Sequence, residues 1–167
     1  MPSAGLIARG VIFTILVPGV VIFLVPRWID PGVNWRGGYP ITGWPLVVAG
    51  ALIYLCCLRG FLLAGGTPAI FFSRELRYLV GEEPKHIVGS GIYRFSRNPM
   101  YVGVLLAVFG LAIASGSVRI LIYSCGLFAF FHVIVVFVEE PHLRATRGAG
   151  YEDYLRAAPR WLGLPRR

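Results

Sequence analysis

Hydrophobic and polar positions along this chain fall into long blocks, not at the period of a surface helix or a half-buried strand. Apolar residues run from Leu6 to about Val25, from Trp44 to about Ala64, from about Tyr101 to Ala114 and from Val118 to about Val138. A bilayer core about 30 Å thick needs about 20 mainly apolar helical residues to cross it, because hydrocarbon offers no partner to an unpaired backbone group. The pattern therefore predicts four transmembrane helices over 6–25, 44–64, 101–114 and 118–138. The third is short for a full span, which puts its entry, Gly91-Ile-Tyr-Arg-Phe-Ser-Arg-Asn-Pro-Met-Tyr-Val-Gly103, in the interface or against protein. The first block could be a signal peptide. Only Arg9 lies near its start, however, and Pro26-Arg27-Trp28 follows it in place of a small-residue cleavage site, so it reads as a helix.

The segments between the blocks carry turn chemistry. Gly65-Gly66-Thr67-Pro68 ends the second helix. Over 69–83, Ile70, Phe71, Phe72, Leu76, Leu79 and Val80 mix with Ser73, Arg74, Glu75 and Arg77, a pattern for a short interfacial helix that Pro84 stops. The segment Lys85 to Gly91 then supplies glycines for a sharp turn close to a ligand. Residues 139–167 are too polar to span and are expected to dock on the cytoplasmic face. One all-α, polytopic membrane domain over 1–167, with cytoplasmic segments 67–100 and 139–167, accounts for the whole pattern.

Composition agrees with a membrane class: 56% of the 167 residues are hydrophobic, the formal charge is +8, and the mean hydropathy is +0.69. The charge also sets orientation, since Lys and Arg collect in short cytoplasmic loops. Arg74, Arg77, Lys85, Arg94 and Arg97 lie between helices two and three. Arg144, Arg147, Arg156, Arg160, Arg166 and Arg167 follow helix four, against Arg27, Arg36 and Arg119 in the other two loops. Both termini and the central loop are therefore expected on the cytoplasmic side, in a membrane such as the bacterial inner membrane. No helix-turn-helix, zinc-finger or RNP-like pattern points to nucleic acid, and anionic lipid is the better partner for the charge. Cys56, Cys57 and Cys125 sit in apolar blocks without ligand spacing, as small core residues that imply neither a disulfide framework nor a metal.

A few polar residues need a reason. Glu139 and Glu140 end the fourth block, where the helix dipole disfavours negative charge, so a cation such as Arg97 or Arg144 is expected beside them unless solvent suffices. His132 precedes Glu139 by seven residues, two turns of a plain helix, and is either a site residue or a histidine satisfied by a neighbouring helix. His86 and His142 need no special account. Asn98 and Pro99 read as N-cap and first-turn residue of helix three. Tyr93, Arg97 and Tyr101 recur at intervals of four and would line one face if the turn is helical.

In order, the chain carries G-x-Y-R-x-x-R-N-P-M-Y-V-G, an apolar hairpin, E-E-P-H-L, G-x-x-Y-x-x-Y and a closing P-R-W. Over roughly Thr67 to Trp161 this set resembles the integral-membrane methyltransferases that include isoprenylcysteine carboxyl methyltransferase and the phospholipid methyltransferases. The resemblance implies S-adenosylmethionine as cofactor, held in a cytoplasm-facing pocket under the C-terminal segment, and a lipophilic acceptor arriving from the bilayer. By motif, Lys85, His86, Ile87, Val88, Gly91 and Tyr93 would wrap the cofactor, and Asn98, Pro99, Met100 and Tyr101 would form its binding turn. Glu139 would hold its amino group, with Glu140 beside it. Arg97 or a backbone donor would meet its carboxylate, and for a protonated amine or thiol acceptor His132 or a glutamate would take the proton.

Two departures bear on the acceptor and the cofactor loop. Val135, with Val136 next, stands where isoprenylcysteine enzymes carry a substrate-binding arginine, so that carboxylate anchor is missing. The Lys85–Gly91 segment is about one residue shorter than the usual form, leaving either Lys85 or His86 in the place of the family's histidine. Two other readings start from the same residues. One is a non-enzymatic protein that binds or organises lipid. The other is a reductase of the sterol-reductase type using NADPH, although no Rossmann glycine fingerprint is present.

Overall fold

The computed structural model describes residues 2–67 and 91–165. The described residues form helices and turns without a strand. Helix α1 spans Ala4–Ile29, α2 Pro40–Leu63, α3 Pro99–Ser115 and α4 Val118–Arg147; a short helix α5, Ala149–Ala157, follows. Three of them, α1, α2 and α4, are long and apolar enough to cross a membrane. The fourth, α3, has 17 residues, about 26 Å at 1.5 Å per residue, which matches its short apolar block. Phe23, Val48, Leu52, Phe130 and Phe137 stand exposed on the outer faces, an apolar surface far larger than an aqueous monomer tolerates. The expected interfacial helix over 69–83 lies outside the described residues.

Two helices continue through a proline past the C-terminal ends of the blocks that predict them. Helix α1 continues past Val25 through Pro26-Arg27-Trp28, and α4 continues through Glu139-Glu140-Pro141 to Arg147, so the acidic pair does not end it. Proline costs a helix a hydrogen bond and crowds the carbonyl four residues back. In both places a wide, π-helical stretch takes up the misfit, over Ile15–Leu24 around Pro18 and over Val135–Glu139 before Pro141. In the first stretch Val25 N–H reaches back to Val20 C=O, so Val21 C=O would next expect the N–H that Pro26 lacks. The Tyr123 hydroxyl of α4 donates to Val21 C=O instead, at 3.1 Å, and ties the two helices together.

Helices α2 and α3 run antiparallel in close contact, Gly43 meeting Ala114 at one end and Gly50 meeting Gly103 at the other. Lipid tails are as apolar as leucine, so helices in a membrane gain little from apolar burial alone, and small residues that let backbones approach are the natural interface. The core beside this contact is Tyr54, Leu58, Val104, Val108, Ile120 and Phe131. Of the cysteines, only Cys57 belongs to the buried interior; Cys56 and Cys125 point outward, which corrects their reading as core residues.

The end of the bundle remote from the termini is closed by Asp30. Its carboxylate accepts from Ser117 Oγ at 2.6 Å and faces Arg119 at 3.4 Å, while Ser117 also caps α4 by accepting from Ile120 N–H. Gly116, at φ +67°, makes the tight turn between α3 and α4 that this closure requires. Ser117→Ala removes the cap and one Asp30 partner and is expected to cost about 1 kcal/mol. It should lower the unfolding temperature in detergent by roughly 2–4 °C; an unchanged transition would show that Asp30 and Arg119 close this end unaided. At the opposite end Gly10 of α1 packs on Leu58 and Leu62 of α2, so the N-terminus shares a side with Tyr93, Glu139 and the C-terminal segment.

Candidate functional site

The site grows from the turn that starts α3. Gly91, at φ +62°, opens a 3-10 turn over Gly91–Arg94, and the chain then kinks through Phe95 and Ser96 before Pro99 begins the helix. Tyr93, Arg97 and Tyr101 are thus not on one continuous helix, yet all three side chains turn inward. Tyr93 is buried with its ring edge-on to Phe61, and its hydroxyl lies beside the Cys57 thiol. Arg97 Nη1 donates to Glu140 Oε1 at 3.1 Å. The Tyr101 hydroxyl donates to Glu139 Oε1, and its ring packs on Phe131.

Asn98 occupies the N-cap position of α3 but makes no side-chain capping bond. Ser96 Oγ accepts the Asn98 N–H at 3.1 Å, and the Asn98 amide reaches across to donate to Arg160 C=O at 2.9 Å. A tertiary contact has displaced the local one. Pro99 is fully buried, and Met100 packs against the core cluster.

Residues 158–165 lie as a strap across this turn. Arg97 N–H donates to Pro159 C=O at 2.8 Å, Gly163 N–H to Phe95 C=O at 3.1 Å, and the Tyr154 hydroxyl of α5 to Tyr93 C=O at 2.9 Å. The charged centre is Glu140, which accepts from Arg160 Nε at 2.7 Å, from Arg160 Nη2 at 3.0 Å and from Arg97. Glu140 is thus ion-paired with two guanidiniums, one of them the expected Arg97, while Arg144, the other expected cation, pairs with Glu152 and adds its charge to Glu140 at longer range. The bonds to Glu140 push the Arg160 guanidinium above its ordinary pKa. Burial pushes the Tyr93, Tyr151 and Tyr154 phenols up.

His132 goes to a different partner from Glu139, because the π-helical turn between them breaks the plain two-turn relation. Its Nδ1 accepts from Trp161 Nε1 at 3.2 Å, and the two rings lie edge to edge, 26° from coplanar with centroids 6.1 Å apart. With Nδ1 as acceptor, the neutral ring carries its proton on Nε2. The partner is thus the strap and not a neighbouring helix. Val135 is fully buried.

Of the residues singled out in the sequence, Gly91, Tyr93, Arg97, Asn98, Tyr101, Glu139 and Glu140 gather at one end of the bundle, with His132 adjoining through Trp161. Lys85, His86, Ile87 and Val88 lie outside the described residues. Among the described residues no cluster of His, Cys, Asp and Glu could hold a metal ion. Arg160 and Trp161 carry little local signal: in the sequence Arg160 is one of several terminal arginines, and the P-R-W motif is the one sign of a distinct role for either. One feature of the cluster asks for a ligand. Arg97 Nε is buried and has no hydrogen-bond partner among the described residues, a donor that a carboxylate would satisfy.

A family model for phospholipid methyltransferases matches residues 41–148, from the start of α2 to the end of α4. The chain belongs to the phospholipid methyltransferase family. It is also 29% identical to a protein-S-isoprenylcysteine O-methyltransferase of Schizosaccharomyces pombe, over 68% of this chain and 50% of that protein. The chain thus spans about half the length of that curated relative. No solved structure matches. The motif set read from Thr67 to Trp161 and the family assignment agree.

Proposed function

We propose that this protein is an S-adenosylmethionine-dependent methyltransferase acting on a lipophilic acceptor at the cytoplasmic face of a membrane. The observation that carries the reading is the buried cluster Arg97, Tyr101, Glu139 and Glu140 under a pinned C-terminal strap, in a chain of the phospholipid methyltransferase family. The donor set suits the cofactor: Glu139 would take its ammonium, and Arg97 Nε would take its carboxylate. When bound, the cofactor supplies a methyl group on a sulfonium, an electrophile that needs little covalent help.

The chain's own contribution is then placement and dryness. Asn98, Glu140 and Arg160 hold the strap down and keep water out of the end of the bundle. Glu140, shared between two arginines, is assigned to holding that lid and not to proton transfer. Tyr101 orients the Glu139 carboxylate. Arginines 94, 97, 144, 147, 156 and 160 crowd this end while Arg27, Arg36 and Arg119 serve the other, which favours the cytoplasm on the site's side.

Calorimetry of S-adenosylmethionine with the detergent-purified protein tests the reading. Glu139→Ala removes a charge-assisted contact of about 1.5–3 kcal/mol and should weaken binding roughly ten- to hundredfold. Wild-type affinity retained by the variant would remove Glu139 from the site. A folded, lipid-supplemented wild type that binds no cofactor would overturn the methyltransferase reading.

A further inference from the structure

The strap over the candidate site has an apolar tip. Leu162 and Leu164 stand 73% and 82% exposed, and the backbone holds them there: Gly163 N–H, between them, donates to Phe95 C=O at 3.1 Å, which brings the exposed Phe95 to the same edge. Single exposed leucines are ordinary on any protein, but three large apolar side chains gathered on one pinned turn mark a contact surface. The arginines around this tip are unevenly committed. Arg97 and Arg160 are spent on Glu140, Arg144 on Glu152 and Arg156 on Asp153. Arg94, next to Phe95 in the chain, is exposed and has no carboxylate partner among the described residues. Arg166 and Arg167 follow the tip in the sequence.

We propose that Phe95, Leu162 and Leu164 insert into the leaflet on the site's side of the membrane while Arg94 pairs with anionic lipid headgroups, so that the bilayer itself holds the strap down. Position names the partner. Leu162 and Trp161 share one apolar surface with Val102, Phe109 and Phe128 of α3 and α4, whose outer faces meet lipid, and the tip continues that surface to the end of the bundle where the charged residues begin. An apolar wedge flanked by cations is the chemistry of a segment that lies in a membrane interface. An arginine without a partner gains from an anionic leaflet what one already bound to a carboxylate does not. The strap is then clamped from two sides: Asn98 and Glu140 hold its inner face, and lipid holds its tip. Lipid anchoring stands apart from the methyltransferase reading, since it concerns what keeps the strap closed and not what lies beneath it.

The test uses the full chain in bicelles of phosphatidylcholine, with and without phosphatidylglycerol, and no cofactor, so that its outcome is independent of any activity. Trypsin cleavage at Arg160 reports opening of the strap; cleavage at Arg36, exposed at the other end of the bundle, corrects for any pull of lipid charge on the protease. Phosphatidylglycerol should slow cleavage at Arg160, relative to Arg36, at least about fivefold, the worth of one arginine at an anionic surface. Arg94→Gln should lose that protection and keep the rate seen in phosphatidylcholine alone. Leu164→Ser, which gives up an apolar side chain seated in the leaflet, should be cleaved roughly tenfold faster in either lipid, and Leu164→Phe should restore the slow rate. Equal relative rates in the two lipids, or wild-type cleavage of Leu164→Ser, would overturn the proposal. Equal protection by soluble glycerol 3-phosphate would also overturn it, by making the contact a headgroup pocket and not a leaflet. Protection in phosphatidylcholine that rises with protein concentration would do the same, by giving the tip to a second copy of the chain.

Discussion

Glu140→Ala is expected to release the C-terminal strap while leaving the four long helices assembled. The carboxylate accepts from both the Arg97 and Arg160 guanidiniums, at 3.1 Å and 2.7 Å, and its own side chain is 5% exposed. Removing one partner of a buried ion pair leaves the other charge without compensation, at a cost of about 3 kcal/mol. That cost falls unevenly. Arg160 is about one-third exposed and turns to solvent cheaply, whereas Arg97 is held by the backbone bond to Pro159 and has an exposure of 11%. The strap should therefore lift off Arg97 before α3 moves. Trypsin offers a direct reading, since Arg160 lies within the pinned strap, and cleavage there should accelerate about a hundredfold for a local opening made about 3 kcal/mol easier. Glu140→Gln, which keeps the shape and one acceptor oxygen but loses the charge, should fall between the two. Equal cleavage rates for all three proteins would show that the hydrogen bonds from Asn98, Tyr154 and Gly163 hold the strap without the ion pairs.

The parts of this architecture legible in the sequence are those that depend on neighbours along the chain. Twenty apolar residues in a row have few structural options, so α1, α2 and the start of α4 could be placed within a few residues, and α3 could be recognised as short. The extension of α4 could not, because Glu139-Glu140-Pro141 carries every local mark of a helix stop and only the π-helical turn before it makes room for the proline. Asn98 shows the same limit at a single residue: Asn before Pro is a sound N-cap signal, but the amide is taken by Arg160 C=O, 62 positions away. That Glu140 would find a cation was predictable from the helix dipole. That one of its two cations would be Arg160 was not, because nothing local separates this arginine from the others in a basic tail. The turn at 91–103 is thus two things at once, the start of α3 and the surface on which the strap is pinned.

Gly103→Val should unfold the bundle at a markedly lower temperature, an effect that depends on geometry alone and not on any assigned activity. A Cβ at position 103 would lie 2.7 Å from Gly50 C=O and 3.0 Å from Tyr54 N–H, and both are backbone atoms of α2 that cannot swing aside as a side chain would. The helices must move apart, and Ala107 and Gly110, which continue the same close approach, lose contact with it. Overpacking a tight interface costs about 1–3 kcal/mol where side chains can yield, and a backbone-to-backbone contact belongs at the upper end. A loss of about 3 kcal/mol corresponds to a fall of roughly 6–12 °C for a chain of this size. Gly126→Val supplies the control: it is also a glycine in a membrane helix, but nothing lies within 4 Å of its Cβ position, so the transition should hardly move. Equal shifts for the two variants would mean that glycine acts through helix propensity and not through close packing. The site should feel the first substitution as well, since α3 carries Asn98 at its N-cap and Tyr101 in its first turn, and a helix displaced from α2 can no longer present them to the strap and to Glu139.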